Sequence, residues 1–400
     1  MHKGFYFLIG AQFASGLADN ALLILGIYFL NEQGYPGWWA PLLKFSLTLS
    51  YVFLASFVGP LADAFAKNQL MAWMNALKIV GVVLLVAGAQ PLMAFALIGL
   101  AASVYAPCKY GLVTESVPPR LLVRANAWLE VTVVLSVILG IAMGGALSGL
   151  SEISPRLVLG VETQTLPAMV GVVAIYLMAA ALNMGLRPMK RVGVIVPLTW
   201  QTISWRAFWK TNQRLWRDPL GGVSLYVTTL YWGVGAVMQF AVLLWAQQTL
   251  GLSLKGGAYL QALVAIGVIT GAYLAGRIFK LHAARQALPW GIVLALLLPV
   301  IVMVTDVRWA IPLLLCVGVA GGLLLVPMNA LLQHRGMQVL SSGRSIAVQG
   351  FNENLSVLLM LATYSALLAM NISLAWIMVL LATLLVAGIA PLCLLMWRRS

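Results

Sequence analysis

The chain has 400 residues, of which 62% are hydrophobic and only 8% carry charge. Soluble domains carry about 25% charged residues, and a soluble globule of this length could not bury so much apolar surface, so we predict a polytopic helical membrane protein. The net charge of +14 does not indicate nucleic-acid binding, because the basic residues lie in short connections between apolar segments and not on one folded face.

Apolar segments long enough to cross a bilayer, which takes about 20 residues, recur along the whole chain. We place twelve of them at 5–30, 40–63, 69–89, 91–113, 125–149, 167–186, 220–247, 256–277, 286–305, 309–333, 345–369 and 373–396. They predict an all-α membrane protein with twelve transmembrane helices in two six-helix, pseudo-symmetric bundles. The bundles cover residues 1–186 and 219–400, and a basic cytoplasmic linker (187–218) joins them.

The first span contains Asp19 near its middle, followed by Asn20. A carboxylate at that depth costs roughly 2.5–3.5 kcal/mol on insertion scales, so we expect it to face a protein-lined cavity and not lipid. The alternative is that Asp19 holds this helix to a neighbour by a hydrogen bond or an ion pair. The small residues Gly16 and Ala18 would let another helix or a ligand approach closely.

The connection between the second and third spans has the sequence GPLADAFAKN (59–68). It resembles the G-x-L-A-D-x-x-G-R-K loop that the major facilitator superfamily carries at this position. Gly59 permits tight helix packing, and Asp63 can accept hydrogen bonds from helix-end amides or from a base. We therefore interpret Gly59, Asp63 and Lys67 as a latch between conformational states.

The longest connection, residues 187–219, carries seven basic residues and four tryptophans. Its stretch from Trp205 to Arg217 predicts an amphipathic helix on the cytoplasmic leaflet, with indoles at the level of the headgroups and bases toward anionic lipid. A plain linker with ordinary basic charge is the alternative.

The basic residues lie mainly on one side of the predicted membrane. If the N-terminus is cytoplasmic, 18 of the 24 basic residues fall in cytoplasmic connections, three on the opposite side and three inside spans. The 18 are Lys3, Lys67, Arg120, Arg124, Arg187, Lys190, Arg191, Arg206, Lys210, Arg214, Arg217, Arg277, Lys280, Arg285, Arg335, Arg344, Arg398 and Arg399. This asymmetry predicts that both termini are cytoplasmic.

The two halves share weak internal similarity, as expected of a parallel repeat about an axis along the membrane normal. Pro107 and Pro327 would bend the fourth and tenth spans near their cytoplasmic ends. Polar residues also recur at matching places in the two halves, as a central cavity would require.

Segments spread over both halves carry a second resemblance. They are AQF (11–13), DNALL (19–23), NALK (75–78), YAPCKYG (105–111), VPMNALLQ (326–333) and AVQ (347–349). These segments resemble the bacterial lysophospholipid transporters of the same superfamily. The resemblance implies import of lysophosphatidylethanolamine and lysophosphatidylglycerol from the outer to the inner leaflet of the bacterial inner membrane. It also implies a cytoplasmic partner, an acyltransferase linked to an acyl-carrier-protein synthetase.

A transporter of such lipids needs a cation for the phosphate, acceptors for the headgroup and an apolar wall for the acyl chain. Lys109, near the cytoplasmic end of the fourth span, is the candidate phosphate partner, although it could also snorkel or pair with Glu130. Asp19 and Asn20 lie nearer the midplane and suit an ammonium or hydroxyl headgroup. Relatives carry an arginine where this chain has Gln239, which we include among the substrate-binding candidates.

The eleventh span carries a dense polar patch in which Gln349, Asn352 and Asn354 surround Glu353, and we predict that it faces the cavity and binds substrate. Glu353 and Glu130 lie at similar depths in pseudo-equivalent spans, so ion-pair gating and headgroup contact stay open for both.

Lys78 and Asn75 lie one turn apart on the third span, where we favour structural pairing. The sequence offers no nucleophile elbow, metal triad or phosphate-cradling loop. We therefore predict a transporter and not an enzyme, with no cofactor. The alternative function is a proton-coupled drug or amphiphile exporter of the same superfamily, with Asp19, Glu130 and Glu353 as proton carriers.

Overall fold

The structure is a computed structural model that describes residues 3–35, 39–149, 156–158, 161–163, 166–186 and 199–397. Its helices are α1 (Lys3–Glu32), α2 (Trp39–Phe53), α3 (Ala55–Ala64), α4 (Lys67–Val86), α5 (Pro91–Ser116), α6 (Leu122–Gly149), α7 (Leu166–Met184), α8 (Trp200–Ile203), α9 (Trp205–Arg217), α10 (Gly221–Gln248), α11 (Leu254–Ile278), α12 (Pro289–Met303), α13 (Val307–Val339), α14 (Ser342–Ala369) and α15 (Leu374–Trp397). Short 3-10 helices at Pro119–Leu121 and Leu281–Ala287 precede α6 and α12.

The spans follow the hydropathy pattern closely. Within the described residues, ten helices are long and apolar enough to cross a membrane, and a bent helix pair passes the same test together. Helix α14 has 28 residues, or about 42 Å of length, but it falls outside these ten because Glu353 and the amides around it make it more polar. A two-stranded antiparallel hairpin, β1 (Arg156–Val158) with β2 (Val161–Thr163), precedes α7 and was not indicated by the sequence pattern.

The second span is broken, which corrects the prediction of one continuous helix over 40–63. Helices α2 and α3 meet at an angle of 68°, and Leu54 between them has φ −96° and ψ 1°. Pro60 inside α3 has no N–H to donate to the carbonyl one turn earlier. The break places Gly59 and Asp63 on a short, separate helix and not at the end of a long one.

Helix α9 has the bounds that its amphipathic pattern predicts. Phe208, Asn212 and Leu215 are buried along one face, whereas Trp209 and the basic side chains of the helix are exposed. The Phe208 ring lies 5.0 Å from the ring of Phe351, centroid to centroid. The amphipathic helix is confirmed, its place on a leaflet stays a prediction, and linker residues 187–198 lie outside the described residues.

The chain divides into two compact units, of which the first comprises Met1–Ser116, Thr132–Asn212 and Leu340–Phe351. Its core lies among α1, α4, α5 and α7. The buried side chains there include Leu22, Leu25, Leu85, Phe95, Val172 and Tyr176.

The second unit comprises Val117–Val131, Gln213–Val339 and Asn352–Ser400. Its core lies among α10, α12, α13 and α15 and includes Trp245, whose indole N–H donates to the Val304 carbonyl at 3.3 Å. Helices α11 and α13 approach each other through small residues. A Cβ at any of four glycines would collide with backbone of the facing helix, which only glycine avoids; these are Gly267, Gly271, Gly318 and Gly322.

Three of the boundaries between the units fall inside helices, and one of them divides α9 after Asn212. The first part of α6, to Val131, belongs to the second unit, and the first part of α14, to Phe351, belongs to the first. The division into bundles at 1–186 and 219–400 stays a prediction.

Candidate functional site

A partly buried ion pair joins Asp19 of α1 to Lys78 of α4. The Lys78 ammonium donates to the two carboxylate oxygens of Asp19 at 2.7 and 2.8 Å and to the Ser15 hydroxyl at 3.0 Å. The Tyr176 hydroxyl donates to Oδ1 of Asp19 at 2.7 Å, and the Ser15 hydroxyl donates to Oδ1 of Asn75 at 2.8 Å. We call these five residues the α1 cluster.

The two charged side chains of the α1 cluster differ in exposure. Lys78 is 1% exposed, whereas Asp19 is 34% exposed. An ammonium has three N–H donors, and the three contacts above use all of them. Among the described residues, Oδ2 of Asp19 accepts a hydrogen bond only from Lys78, and a carboxylate oxygen has two lone pairs. Asp19 can therefore accept a further donor from the side that is open.

The open side of Asp19 and its ion pair coexist, although the sequence offered them as alternatives. Lys78 is buried and contacts both carboxylate oxygens of Asp19, so loss of the carboxylate would leave a buried charge uncompensated. The two contacts therefore restrain the position of Asp19. The rings of Tyr105 and Tyr176 add to this, since the Lys78 ammonium lies 5.0 and 5.4 Å from their centroids and cations are attracted to ring faces at this distance.

Close packing of α1 against α6 orients the polar stretch of α1. A Cβ at Gly16 would lie 2.6 Å from the Ser136 hydroxyl oxygen, and a Cβ at Gly140 would lie 2.7 Å from the Leu17 carbonyl oxygen. The prediction that Gly16 allows a helix to approach is therefore confirmed. The Asn20 amide donates to the Gly16 carbonyl at 2.8 Å, and Asn20 is half-buried.

The predicted latch residues meet the start of α14. Oδ1 of Asp63 accepts from the backbone N–H of Gly343 at 2.9 Å, and Oδ2 accepts from the Ser341 hydroxyl. A Cβ at Gly59 would lie 2.9 Å from the Cα atom of Arg344, so the backbones of α3 and α14 are in direct contact. As the sequence predicts, Asp63 accepts from a helix-end amide and Gly59 permits tight packing.

Lys67 is paired as well. Its ammonium lies 2.7 Å from Oε1 of Glu115, and the two side chains are only 9% and 6% exposed. The Ser342 hydroxyl donates to the same oxygen of Glu115. We call Gly59, Asp63, Lys67, Glu115 and residues 341–344 the loop cluster.

Lys109 and Gln349 are both buried in the first unit, each 7% exposed. The Lys109 ammonium lies 4.3 Å from the centroid of the Tyr110 ring. A snorkelling lysine would extend its ammonium into water, so the snorkelling alternative does not agree with this burial.

The remaining candidates belong to the second unit. Glu130 is buried, and Glu353 is half-buried. Oδ1 of Asn352 accepts from the Trp216 indole N–H at 3.2 Å. The Gln239 side chain is exposed, and its backbone carbonyl accepts from the amide of Gln261.

Two further polar ties hold the second unit together. The side-chain amides of Asn126 (α6) and Gln333 (α13) donate to each other, at 2.9 and 2.8 Å. Arg335 donates to both carboxylate oxygens of Asp218, at 3.2 and 2.7 Å, and this lowers the pKa of the Asp218 carboxyl below its ordinary value of 3.8. Oδ1 of Asp218 also accepts from the backbone N–H of Gly221 at 2.7 Å, which caps the start of α10.

An apolar groove lies between α2 and α5 and has a volume of about 420 Å³. The hydroxyl protons of its serines already bond to backbone, because Ser46 donates to the Leu92 carbonyl and Ser50 to the carbonyls of Ser46 and Ala96. The groove therefore suits hydrocarbon. Its lining comprises Ser46, Leu49, Ser50, Phe53, Leu54, Met93, Ala96, Leu97 and Leu100.

Sequence reasoning did not include Lys78, Tyr176 or Glu115 among the site residues. Lys78 was interpreted as structural, and it is, but its partner is Asp19 and not Asn75. One signal could have found it, because an intramembrane carboxylate needs a counter-charge at similar depth. Tyr176 and Glu115 gave no such signal.

Comparison with known proteins decides the classification. A family model described as Major Facilitator Superfamily matches residues 7–356. A curated relative named lysophospholipid transporter LplT, from Serratia proteamaculans (strain 568), is 34% identical over 359 residues, which cover 90% of this chain and 87% of the relative. The chain belongs to the LplT family of the major facilitator superfamily. An LplT relative from Salmonella arizonae is also 34% identical, over 91% of this chain and 88% of its own.

Solved structures share the fold of this LplT-family chain. A bacterial homologue of the iron transporter ferroportin, in an outward-facing state, has a TM-score of 0.70 at 14% identity and covers 98% of this chain and 100% of its own. The transporter FucP, in an outward conformation, has a TM-score of 0.73 at 16% identity and covers 97% of each chain. The predicted fold class, the twelve-helix major facilitator fold, is confirmed.

Proposed function

We propose that this protein is a transporter, and not an enzyme, that moves lysophosphatidylethanolamine and lysophosphatidylglycerol from the outer to the inner leaflet of the bacterial inner membrane. The observation that carries the proposal is 34% identity over about nine-tenths of the chain with relatives named lysophospholipid transporters. The α1 cluster supports it, because a fixed and partly open carboxylate inside a membrane span offers an acceptor to a polar headgroup.

The site residues take separate roles in this proposal. Asp19 and Asn20 accept the ammonium or hydroxyl groups of the headgroup. Lys109 supplies the cation for the phosphate, as a buried point charge. The further candidates for polar contacts with the lipid are Gln239, Gln349, Asn352 and Glu353.

Alternating access in this proposal depends on the loop cluster. Asp63 and Gly59 hold the start of α14 directly in one state, and Lys67 does so through Glu115 and Ser342; these contacts break in the other state. Glu130 contributes to gating from α6. The direct contact between α3 and α14 supports this role, since the backbones cannot separate slightly without losing the Asp63 hydrogen bonds.

The orientation of the protein in the membrane and its cytoplasmic partner determine where the transported lipid is used. With both termini cytoplasmic, the inner leaflet receives the lipid on the side where an acyltransferase linked to an acyl-carrier-protein synthetase re-acylates it. Re-acylation removes the product and maintains the gradient, so transport needs no ion gradient. Basic connections on the cytoplasmic side support this orientation.

Uptake of labelled lysophosphatidylethanolamine by cells with and without this gene tests the proposal. We expect uptake to disappear without the gene, to return with the wild-type gene, and to change little when an uncoupler is added. Uptake that does not depend on the gene would contradict the proposal. Efflux of amphiphiles that collapses with the uncoupler would instead identify the proton-coupled exporter.

A further inference from the structure

Lys78 is the charged residue of the α1 cluster that cannot touch a substrate. Its side chain is 1% exposed, and its three N–H donors are used by Asp19 and Ser15. Any effect of Lys78 on a bound lipid therefore acts through Asp19, which is 34% exposed. Lys78 is therefore a positioning residue, and it acts through its charge.

The charges of the α1 cluster sum to zero. Asp19 contributes one negative charge and Lys78 one positive charge, and the ammonium contacts both carboxylate oxygens. The phenols of Tyr176 and Tyr105 border the pair without adding charge. A headgroup that approaches the open side of Asp19 thus meets a hydrogen-bond acceptor whose charge is already compensated.

We propose that Lys78 sets the headgroup charge that the site accepts: by neutralising Asp19, it allows both zwitterionic and anionic lysophospholipids to bind. The inference rests on the proposed function. An uncompensated carboxylate would attract the ammonium of lysophosphatidylethanolamine and repel the net negative lysophosphatidylglycerol. An uncompensated ammonium would do the reverse. The paired cluster discriminates weakly between the two.

Uptake of the two lipids with the same acyl chain, measured side by side, tests the inference through their ratio. We expect Lys78→Met to raise the ratio of ethanolamine to glycerol lipid at least fivefold. Asp19→Asn should lower this ratio at least fivefold, in the uptake that remains. The double variant Asp19→Asn, Lys78→Met should return the ratio to within twofold of wild type, since its charge sum is again zero.

The uptake ratio of the two lipids does not depend on how much protein folds, so it can be measured even when part of a variant protein is lost. Lys78→Arg keeps the charge and should keep the ratio. Lys44→Met is the matched control, because it removes the same charge from an exposed lysine of α2 and should leave the ratio unchanged. Protein in the membrane is quantified for every variant.

An unchanged ratio in Lys78→Met or in Asp19→Asn overturns the inference. So does loss of both lipids in Lys78→Met when the protein is present in normal amount, since Lys78 would then be structural only. If Lys78→Met does not reach the membrane, the uptake ratios of Asp19→Asn and of the double variant test the inference. An unchanged ratio in Asp19→Asn then overturns it. Absence of uptake of either lipid by the wild type would overturn the proposed function itself, which is a different result.

Discussion

Two lysine–carboxylate pairs described in the first unit have the same length but differ in how exposed their carboxylates are. Lys78–Asp19 and Lys67–Glu115 both measure 2.7 Å between nitrogen and oxygen. In the α1 cluster the cation is 1% exposed and the anion 34%, whereas in the loop cluster both partners are below 10%.

This difference distinguishes an ion pair that can bind a ligand from one that only joins helices. A sealed pair has no lone pair left for a ligand to reach, so it can only join elements of the fold. An open carboxylate with a buried partner is fixed in position and still accepts a hydrogen bond. The length of an ion pair therefore says little about its role, and the exposure of its acceptor says more.

The largest expected effect comes from removing each of the two carboxylates in turn. We expect Asp19→Ala to reduce lysophospholipid uptake at least tenfold, because the open acceptor is lost. Glu115→Ala breaks a contact of the loop cluster and should lower the maximal uptake rate, but it should leave the half-saturating lipid concentration within about twofold of wild type, because a sealed carboxylate does not meet the substrate. An equal rise of that concentration in both variants would abolish the distinction between the two pairs.

A second test concerns the buried lysine outside both pairs. Lys109→Ala should also reduce uptake at least tenfold, because the phosphate loses its cation. Lys44→Ala is the control, since Lys44 is exposed on α2, and it should stay within twofold of wild type. Initial uptake rates at limiting lipid concentration measure both. Normal uptake in Lys109→Ala would remove Lys109 from the site.

The loop cluster is tested by adding a single methyl group. Gly59→Ala brings a Cβ to 2.9 Å from the Cα atom of Arg344, and a backbone atom cannot turn aside, so we expect a loss of uptake of about threefold or more. Gly145→Ala meets nothing within 4 Å and should behave as wild type. If the two variants are alike in uptake and melting temperature, close contact at Gly59 is unimportant for transport.

The smallest expected effect comes from the Asp218–Arg335 pair. Because Arg335 lowers the pKa of Asp218, the pair stabilises the folded state above the ordinary pKa of about 3.8, and this contribution is lost as pH falls through the lower, folded-state pKa. Arg335→Met should cost at most about 1 kcal/mol near neutral pH. Melting temperatures of the two proteins should converge below about pH 3.8, and a constant difference down to acid pH would contradict the linkage.

Hydropathy predicted the spans because each must satisfy its backbone within one apolar helix, which is a local property. The bounds of α9 were also predictable, since its apolar face is visible in its own sequence and Pro219 follows two residues after its end. The break at Leu54 was not, because no proline or glycine stands at that position. The local sequence pattern gives no indication of a bend at a position that has neither proline nor glycine.

The site was predictable in part for a related reason. Asp19 stood out because a charge in a span is costly wherever it points. That Lys78 is its partner, and that Tyr176 supports it, depends on how α1, α4 and α7 pack, which spacing along one helix does not reveal. The same holds for Glu115, whose partners come from α4 and the start of α14.

The reciprocal amides of Asn126 and Gln333 have a practical consequence. Neither side chain bears charge, so added salt and acid leave this contact between α6 and α13 as strong as before, while both weaken the partly exposed Asp218–Arg335 pair of the same unit. Adding salt can therefore loosen that ion pair and leave the amide pair intact within a single sample.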